Sequence, residues 1–449
     1  MFRSFIKYDR GTWSAKRPLV THQKYLKKMK TSATRTILSG LIALFVFTLA
    51  GTAQTDNSFY TINGIVKDAR TNEPIAFASV FVPGTSVGTV SNLNGVFTLK
   101  IMKALDTDVF AISHLGYHVA RFPVELNLSF GTEYFLEPHS VVLPEVVVRP
   151  NDPKSLVLSA IEKIGENYPE VPQRLTAFYR EAIKQRRDYI SISEAVVEVY
   201  QTPYASGSFT DRTRIIQGRK SGNVRRADTL AVKLQGGPHV AMLLDIVKNP
   251  DILISKESVN YYNYEFLDVV KIEDAMNYVI GFTPRVDLPY PLYHGRLYIS
   301  VENLGFTMAE FSLDLSDRTK AAQSLVLRKP LRLRVTPLAT NYLVTYKETD
   351  GKYYLNYVRS ELEFFADWRR RIFRTGYNIM AEMAITERDT ENVVRFSTRE
   401  SFRPNTILAD MVPVYFEDEF WGEYNYIEPE ESIESAIQKL NRRLERETP

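Results

Sequence analysis

The sequence predicts a mainly β protein with some helix, a small N-terminal β-sandwich followed by a larger antiparallel sheet with packed helices. Three observations carry this. Aromatic residues make up 12% of the chain, with 26 Tyr and 25 Phe, and such side chains suit a pleated, half-buried surface. Apolar and polar residues alternate with period two in many short segments. Turn signals such as Asn94-Gly95 and Asp350-Gly351 separate those segments by too few residues for parallel crossovers.

With 449 residues, 44% hydrophobic and 24% charged, the chain has room for two or three domains with real cores. It has no cysteine, which excludes disulfides, thiol catalysis, cysteine zinc sites and a lipid-attachment cysteine. Residues 1–53 hold ten of the 56 basic side chains but one of the 53 acidic ones, so their removal turns the net charge from +3 to −6. Nucleic acid therefore has no electrostatic footing as a partner.

Lys30 and Arg35 precede the apolar run Ile37–Ala50, and Gly51-Thr52-Ala53 then offers small residues. That order predicts a signal peptide over 29–53, cleaved between Ala53 and Gln54, and hence export. The 14-residue run is shorter than the roughly 20 residues a spanning helix needs. A short membrane anchor is the alternative. Residues 1–28 fit no part of a leader, and Met29 heads a well-proportioned one, so translation is expected to begin there and 1–28 to be a non-native extension.

The first domain is expected over 59–138. Phe97, Leu99 and Ile101 share one strand face, Ala78 to Val82 forms a core strand, and Gly84, Gly88 and Asn94-Gly95 supply turns. Further strands follow at Val109–Ser113 and Tyr134–Leu136. The pattern Ile62-Asn63-Gly64-Ile65-Val66-Lys67-Asp68, Glu73-Pro74-Ile75, Gly84-Thr85, Asn94-Gly95-Val96-Phe97 and Ser113-x-x-Gly116-Tyr117 resembles the carboxypeptidase-like regulatory domain. That resemblance implies a transthyretin-like sandwich in an envelope protein of Gram-negative bacteria, acting as an adaptor without peptidase chemistry. Asn92 stands where many relatives carry Asp, which weakens any idea of a cation there.

Two motifs in this domain imitate sites. Gly84-Thr85-Ser86-Val87-Gly88 has the spacing of a hydrolase elbow, but such a serine needs a helix after it, and Thr89-Val90 continues as strand. His114 and His118 stand four apart, a metal pair only on a helix, and here strand and turn surround them. Both are read as structural.

Residues 139–152 form a linker. Leu143-Pro144-Glu145-Val146-Val147-Val148 resembles the run after this domain in SusC-like TonB-dependent receptors, but the barrel pattern of ~10-residue segments is not sustained afterwards.

The second domain is expected over 153–449. Asp152-Pro153 starts a helix on which Val157, Ala160, Ile161 and Ile164 share a face. Strands are expected at 176–183, 189–200, 261–270, 278–282, 296–301, 306–313, 327–335, 342–349, 352–366 and 372–385, with a short helix at 239–248 and a terminal one carrying Ile433, Ala436, Ile437, Leu440 and Leu444. The hairpin Tyr293-His294-Gly295-Arg296-Leu297-Tyr298-Ile299, returning through Gly305-Phe306, resembles LolA/LolB-like lipoprotein carriers. This implies a curved sheet wrapping helices around an apolar cleft.

Candidate partner-binding residues are Trp421, Tyr424 and Tyr426 of the aromatic segment 420–429, and Arg328, Arg332 and Arg334, which alternate with apolar residues and could meet anionic headgroups. The bland alternatives are a loop that tucks a helix onto the sheet and a solvated strand face. Glu417-Asp418-Glu419 is an acidic cluster read as solvated. No zinc-protease, P-loop or dinucleotide motif occurs among the six histidines and 21 glycines, so no catalytic, metal or cofactor residue is assigned.

The expectation is an exported, non-enzymatic envelope protein that binds a lipid, lipoprotein or outer-membrane partner through the sheet domain. A membrane surface is a further possible contact. The alternatives are an assembly factor without a ligand cavity, and a carboxylate-dependent hydrolase of envelope glycans or peptides.

Overall fold

A computed structural model describes residues 6–7, 59–124, 131–139, 152–206, 211–221, 233–234, 236–325, 333–368, 374–391, 393–413 and 420–430. The leader with Ala53 and Gln54, the run Leu143–Val148, the acidic cluster 417–419, the terminal helix, Arg328 and Arg332 lie outside the described residues.

Seven strands build the first domain: β1 Phe59–Asp68, β2 Ser79–Phe81, β3 Gly88–Val90, β4 Val96–Met102, β5 Val109–Ser113, β6 Ala120–Pro123 and β7 Glu133–Leu136. They form two sheets, β4-β1-β7 and β3-β2-β5-β6, and the β1–β7 pair is parallel. The predicted face of β4 is the core face, since Phe97, Leu99 and Ile101 are fully buried against Phe110, Ile112 and Tyr134. Burying each such side chain contributes about 2 kcal/mol. Gly64 makes room for that core, because a Cβ there would sit 2.3 Å from the Tyr134 ring. At the expected corner, Gly116 adopts φ +82° and Tyr117 Oη donates to Asp68 Oδ2 at 2.7 Å.

The second domain starts with α1 Pro153–Glu162, capped by the Asp152 carboxylate accepting from Lys154 N at 3.0 Å, and α2 Ile164–Asn167. Its strands are β8 Gln173–Gln185, β9 Asp188–Gln201, β10 Arg212–Ser221, β11 Tyr262–Ile272, β12 Ala275–Pro284, β13 Tyr293–Ser300, β14 Phe306–Leu313, β15 Leu333–Thr349, β16 Lys352–Trp368 and β17 Thr375–Asp389. Helices α3 Gly237–Leu243, α4 Arg318–Leu325 and α5 Leu408–Met411 complete it.

These ten strands join one antiparallel sheet, ordered β10-β9-β8-β17-β16-β15-β14-β13-β12-β11, while a two-residue strand, Lys233–Leu234, pairs with Ile6–Lys7 in a separate ladder. Two meanders, β8 to β10 and β11 to β17, are stitched together where β17 pairs with β8. Where separate strands were expected around Val335 and Tyr342, one 17-residue strand runs through Pro337. A bulge between Pro337 and Ala339 absorbs the missing donor. β10 had no expectation, because Arg212, Arg214 and Arg219 mask its alternation.

The sheet has a helix face and a sandwich face. On the helix face, Val157 and Ala160 of α1 and Ala241 and Met242 of α3 pack with Tyr179, Val197, Ile280, Leu297, Phe306 and Val344 in one continuous core. A second cluster joins Ala321 and Leu325 of α4 to Leu362, Phe364 and Ile379. The opposite face receives the first domain.

Candidate functional site

The sandwich sits on the sheet through a mixed apolar and charged seam. Val90 and Phe77 of the first domain pack with Phe178, Val196, Tyr357 and Ala384 of the sheet, and Trp421 and Ile427 fill the space between. Segment 420–430 is the mortar. Lys100 N donates to Asn425 Oδ1 at 2.6 Å and Asn425 Nδ2 returns a bond to Lys100 O at 2.9 Å. Thr89 Oγ1 donates to Tyr426 O at 2.9 Å.

Asn92 explains its own departure from the family pattern. Its Oδ1 accepts from Asn94 N and Val96 N at 2.9 and 3.0 Å, shaping the turn. Its Nδ2 then donates to Glu428 O at 3.2 Å and Pro429 O at 3.1 Å. A carboxylate could shape the same turn but has no donor for those carbonyls.

Beneath this seam runs a row of directly paired residues that crosses all ten strands: Arg219, Glu194, Arg180, Glu382, Arg359, Leu343, Glu310, Arg296, Gly281 and Glu265. Its first five members alternate in charge. Arg180 Nη2 meets Glu194 Oε1 at 2.7 Å, Arg180 Nη1 meets Glu382 Oε1 at 3.0 Å, and Arg219 Nε meets Glu194 Oε2 at 2.7 Å. Arg359 Nη1 reaches Glu382 Oε2 at 3.1 Å, and Tyr357 Oη donates to that same oxygen at 2.7 Å. Desolvation opposes the Arg180 charge, yet Glu194 and Glu382 outweigh it and hold its pKa above the usual guanidinium value. Burial likewise works against the Glu194 carboxylate, and Arg180 with Arg219 overcomes it and keeps its pKa low. Arg180 also donates to Ile427 O at 2.7 Å, tying the ladder to the mortar.

Where the row emerges from under the sandwich it becomes the floor of a groove of about 810 Å³. Phe77 and Leu93 of the first domain form one wall, Leu343, Glu310 and Arg296 lie on the floor, and Glu265 and Leu267 stand at the far side. His294, Ser312 and Asn341 add further hydrogen-bonding groups. Two of the carboxylates are engaged: Glu361 accepts from Arg359 Nε and Nη2 at 2.9 and 2.6 Å, and Glu310 accepts from Tyr298 Oη at 2.9 Å with Arg296 Nε 3.8 Å away. Leu267 is 47% exposed beside them, so the groove mixes apolar and charged surface.

Packing on the helix face is closer. Among the described residues its cavity, bounded by Tyr179, Val240, Ala241, Leu325 and Leu362, holds about 20 Å³, room for about one water. The apolar cleft implied by the carrier resemblance is filled there by α1, α3 and α4. Deeper in, Asp245 accepts from Tyr346 Oη at 2.8 Å and from the Lys248 amide at 3.1 Å. Burial pushes the Asp211 carboxyl up to about 6 against the pull of the Lys248 ammonium 3.7 Å away. Burial pushes Glu181 up to about 8, with Tyr179 Oη its only donor among the described residues, at 3.2 Å. These groups are buried in the core.

The predicted docking residues therefore divide. Trp421 is 3% exposed, edge-on to Phe178 at 5.2 Å, with the Arg219 guanidinium 4.9 Å from its ring centroid, so it is corrected from a surface anchor to a seam residue. Tyr424 and Tyr426 are half-buried in the same cluster, and Lys100 lies over the Tyr426 ring. Arg334 is exposed on β15. Ser86 of the elbow-like motif donates to Arg388 O at 2.9 Å and accepts from Arg388 N at 3.0 Å, a tether between the domains. His114 turns its ring to Tyr117, and His118 meets His139.

The family comparison now has a structure to rest on. Residues 62–148 form a CarboxypepD_reg-like domain. The chain is also similar to the TonB-dependent receptor SusC of Bacteroides thetaiotaomicron, 36% identical over 88 residues. That match spans 20% of this chain and 8% of the receptor. Among solved structures, the chain is similar to a DUF1329 family protein from Desulfovibrio piger, at 11% identity and TM-score 0.24, over 55% of this chain and 96% of that one. It is similar also to a putative outer membrane lipoprotein-sorting protein domain from Vibrio parahaemolyticus, at 10% identity and TM-score 0.25, over 54% and 93%. A third likeness, at 9% identity and TM-score 0.22, is to lipovitellin, over 56% and 28%. Among the described residues no helix is long and apolar enough to cross a membrane.

Proposed function

We propose that this chain is an exported, non-enzymatic binding protein of the bacterial envelope, and that its groove holds an extended segment of an outer-membrane protein partner. The observation that carries this is the contrast between the two faces: about 810 Å³ of open, mixed-polarity groove on one, and about 20 Å³ on the other. A polypeptide offers backbone donors and acceptors together with side chains of both signs, which match Arg296, Glu310, Asn341 and Leu267. An acyl chain would desolvate the polar side chains of Arg296 and Asn341 without offering them a hydrogen bond, at a cost of about 1–3 kcal/mol each. The envelope setting is supported by the leader and by the CarboxypepD_reg-like domain shared with the receptor. A non-enzymatic role is supported by Glu361 and Glu310 on the groove floor, which are taken up by arginine and tyrosine partners.

The test places a photo-crosslinking residue at Arg296 in the groove, and at exposed Glu257 as control, in the full chain expressed in its own envelope. An outer-membrane protein adduct specific to position 296, lost when Glu310→Arg reverses the floor charge, is the expected result. Native mass spectrometry that finds a stoichiometric lipid, with no adduct specific to position 296, would overturn the proposal in favour of a lipid ligand.

A further inference from the structure

Three side chains that are far apart in sequence meet where the first domain touches the tip of the β11–β12 hairpin. The backbone brings them there. His118 N donates to Glu137 O at 3.0 Å and His139 N to Gly116 O at 2.7 Å, so the corner and the end of β7 are clipped together. Gly116 N donates to Lys271 O at 3.1 Å, which fixes the corner to the hairpin. The hairpin turns through Glu273 and Asp274, both with positive φ (50° and 66°), and Ser113 Oγ donates to Glu273 Oε1 at 2.9 Å.

This leaves Asp274 facing two imidazoles. His118 Nδ1 lies 3.8 Å from Asp274 Oδ1, the His118 and His139 ring centroids are 3.8 Å apart, and one ligand atom from each of the three residues lies within 4.8 Å of the others. Both ring nitrogens of His139 are buried and have no hydrogen-bond partner among the described residues. A buried imidazole ordinarily donates from one nitrogen and accepts at the other, and leaving both idle costs about 1–3 kcal/mol for each.

We infer that His118, His139 and Asp274 bind a divalent transition-metal ion of the zinc type, which staples the first domain to the sheet domain. Two imidazoles and one carboxylate are a donor set that zinc accepts, with a fourth position left for water on the exposed side where His118 and Asp274 lie. The ion takes up an idle lone pair of His139 and neutralises Asp274.

The test uses the untagged full chain, stripped with chelator and titrated with zinc chloride by calorimetry. Cobalt(II) substitution reports the coordination by its visible absorption. About one equivalent per chain is expected to bind and to raise the melting temperature. Asp274→Asn keeps a residue that tolerates the turn and lies on the surface, so it folds while binding at least roughly tenfold more weakly; His118→Gln acts alike. Their circular dichroism without metal should match the parent. A parent chain that binds no zinc, or both variants binding it with unchanged affinity, overturns the site and leaves His118 and His139 as a stacked contact.

Discussion

Arg180 and Glu194 face each other across β8 and β9 at 2.7 Å, with side chains 1% and 2% exposed. They are the centre of the ladder, and Arg180 is shared with Glu382 and with the carbonyl of Ile427. Removing only one partner leaves a dry opposite charge. Arg180→Met is expected to destabilise the chain by about 3 kcal/mol, the lower end for a broken buried pair because Arg219 and Arg359 remain. Replacing both residues, Arg180→Met with Glu194→Leu, is expected to cost less than the single change. Urea unfolding of the three chains decides this.

Asn92→Asp keeps the turn but loses both donors to the 428–429 carbonyls and sets a carboxylate against them. A loss of about 1–3 kcal/mol is expected. Proteolysis should cut ahead of the 420–430 segment sooner, while the sandwich core stays protected. Equal proteolysis of parent and variant would show that these bonds do not hold the segment.

Glu181 makes stability depend on pH. Its folded pKa of about 8 lies above the model-peptide value of 4.5, so between these limits the folded chain binds more protons than the unfolded one. Its contribution is intact below about pH 4.5 and declines as the pH rises to about 8. Glu181→Gln is expected to be neutral at pH 5 and stabilising by on the order of 3 kcal/mol above pH 8. Thermal melts across that range, compared with the parent, measure it.

Gly95 occupies the turn read from Asn94-Gly95, with φ +74° and a hypothetical Cβ only 2.5 Å from Val66 O. Gly95→Ala must therefore move a core strand as well as strain the turn. Its cost is expected to exceed about 2 kcal/mol, whereas Gly131→Ala, where φ is +96° but no atom lies within 4 Å, should cost about half as much or less. Melting temperatures of the two variants give the comparison.

Local pattern in the sequence revealed elements and little of the site. Val109–Ser113 and Phe306–Leu313 appear at their expected bounds, because apolar alternation and flanking turns are local signals. Segment Tyr293–Ser300 stood out in the sequence, and it supplies His294 and Arg296 to the groove. The ladder was hidden. Arg180, Glu194 and Glu382 look like solvent-facing residues in their own strands, and only the cross-strand register, with partners up to 202 residues apart, shows that they share one covered row. Trp421 misled for the related reason that a cluster of aromatics marks buried contact without telling whether the other side belongs to a partner or to the same chain. The His118–His139–Asp274 meeting depends on a domain contact that no spacing encodes.

The pairing of β17 with β8 sets the order in which the molecule can be made. A chain made from its N-terminus presents the first domain early. The three strands β8 to β10 must then wait about 190 residues before Tyr377 comes opposite Gln185. Until that moment a long strand edge stands unpaired, the kind of surface that recruits neighbouring chains. Assembly therefore finishes at its C-terminal end, with segment 420–430 arriving last to seal domains that have already formed.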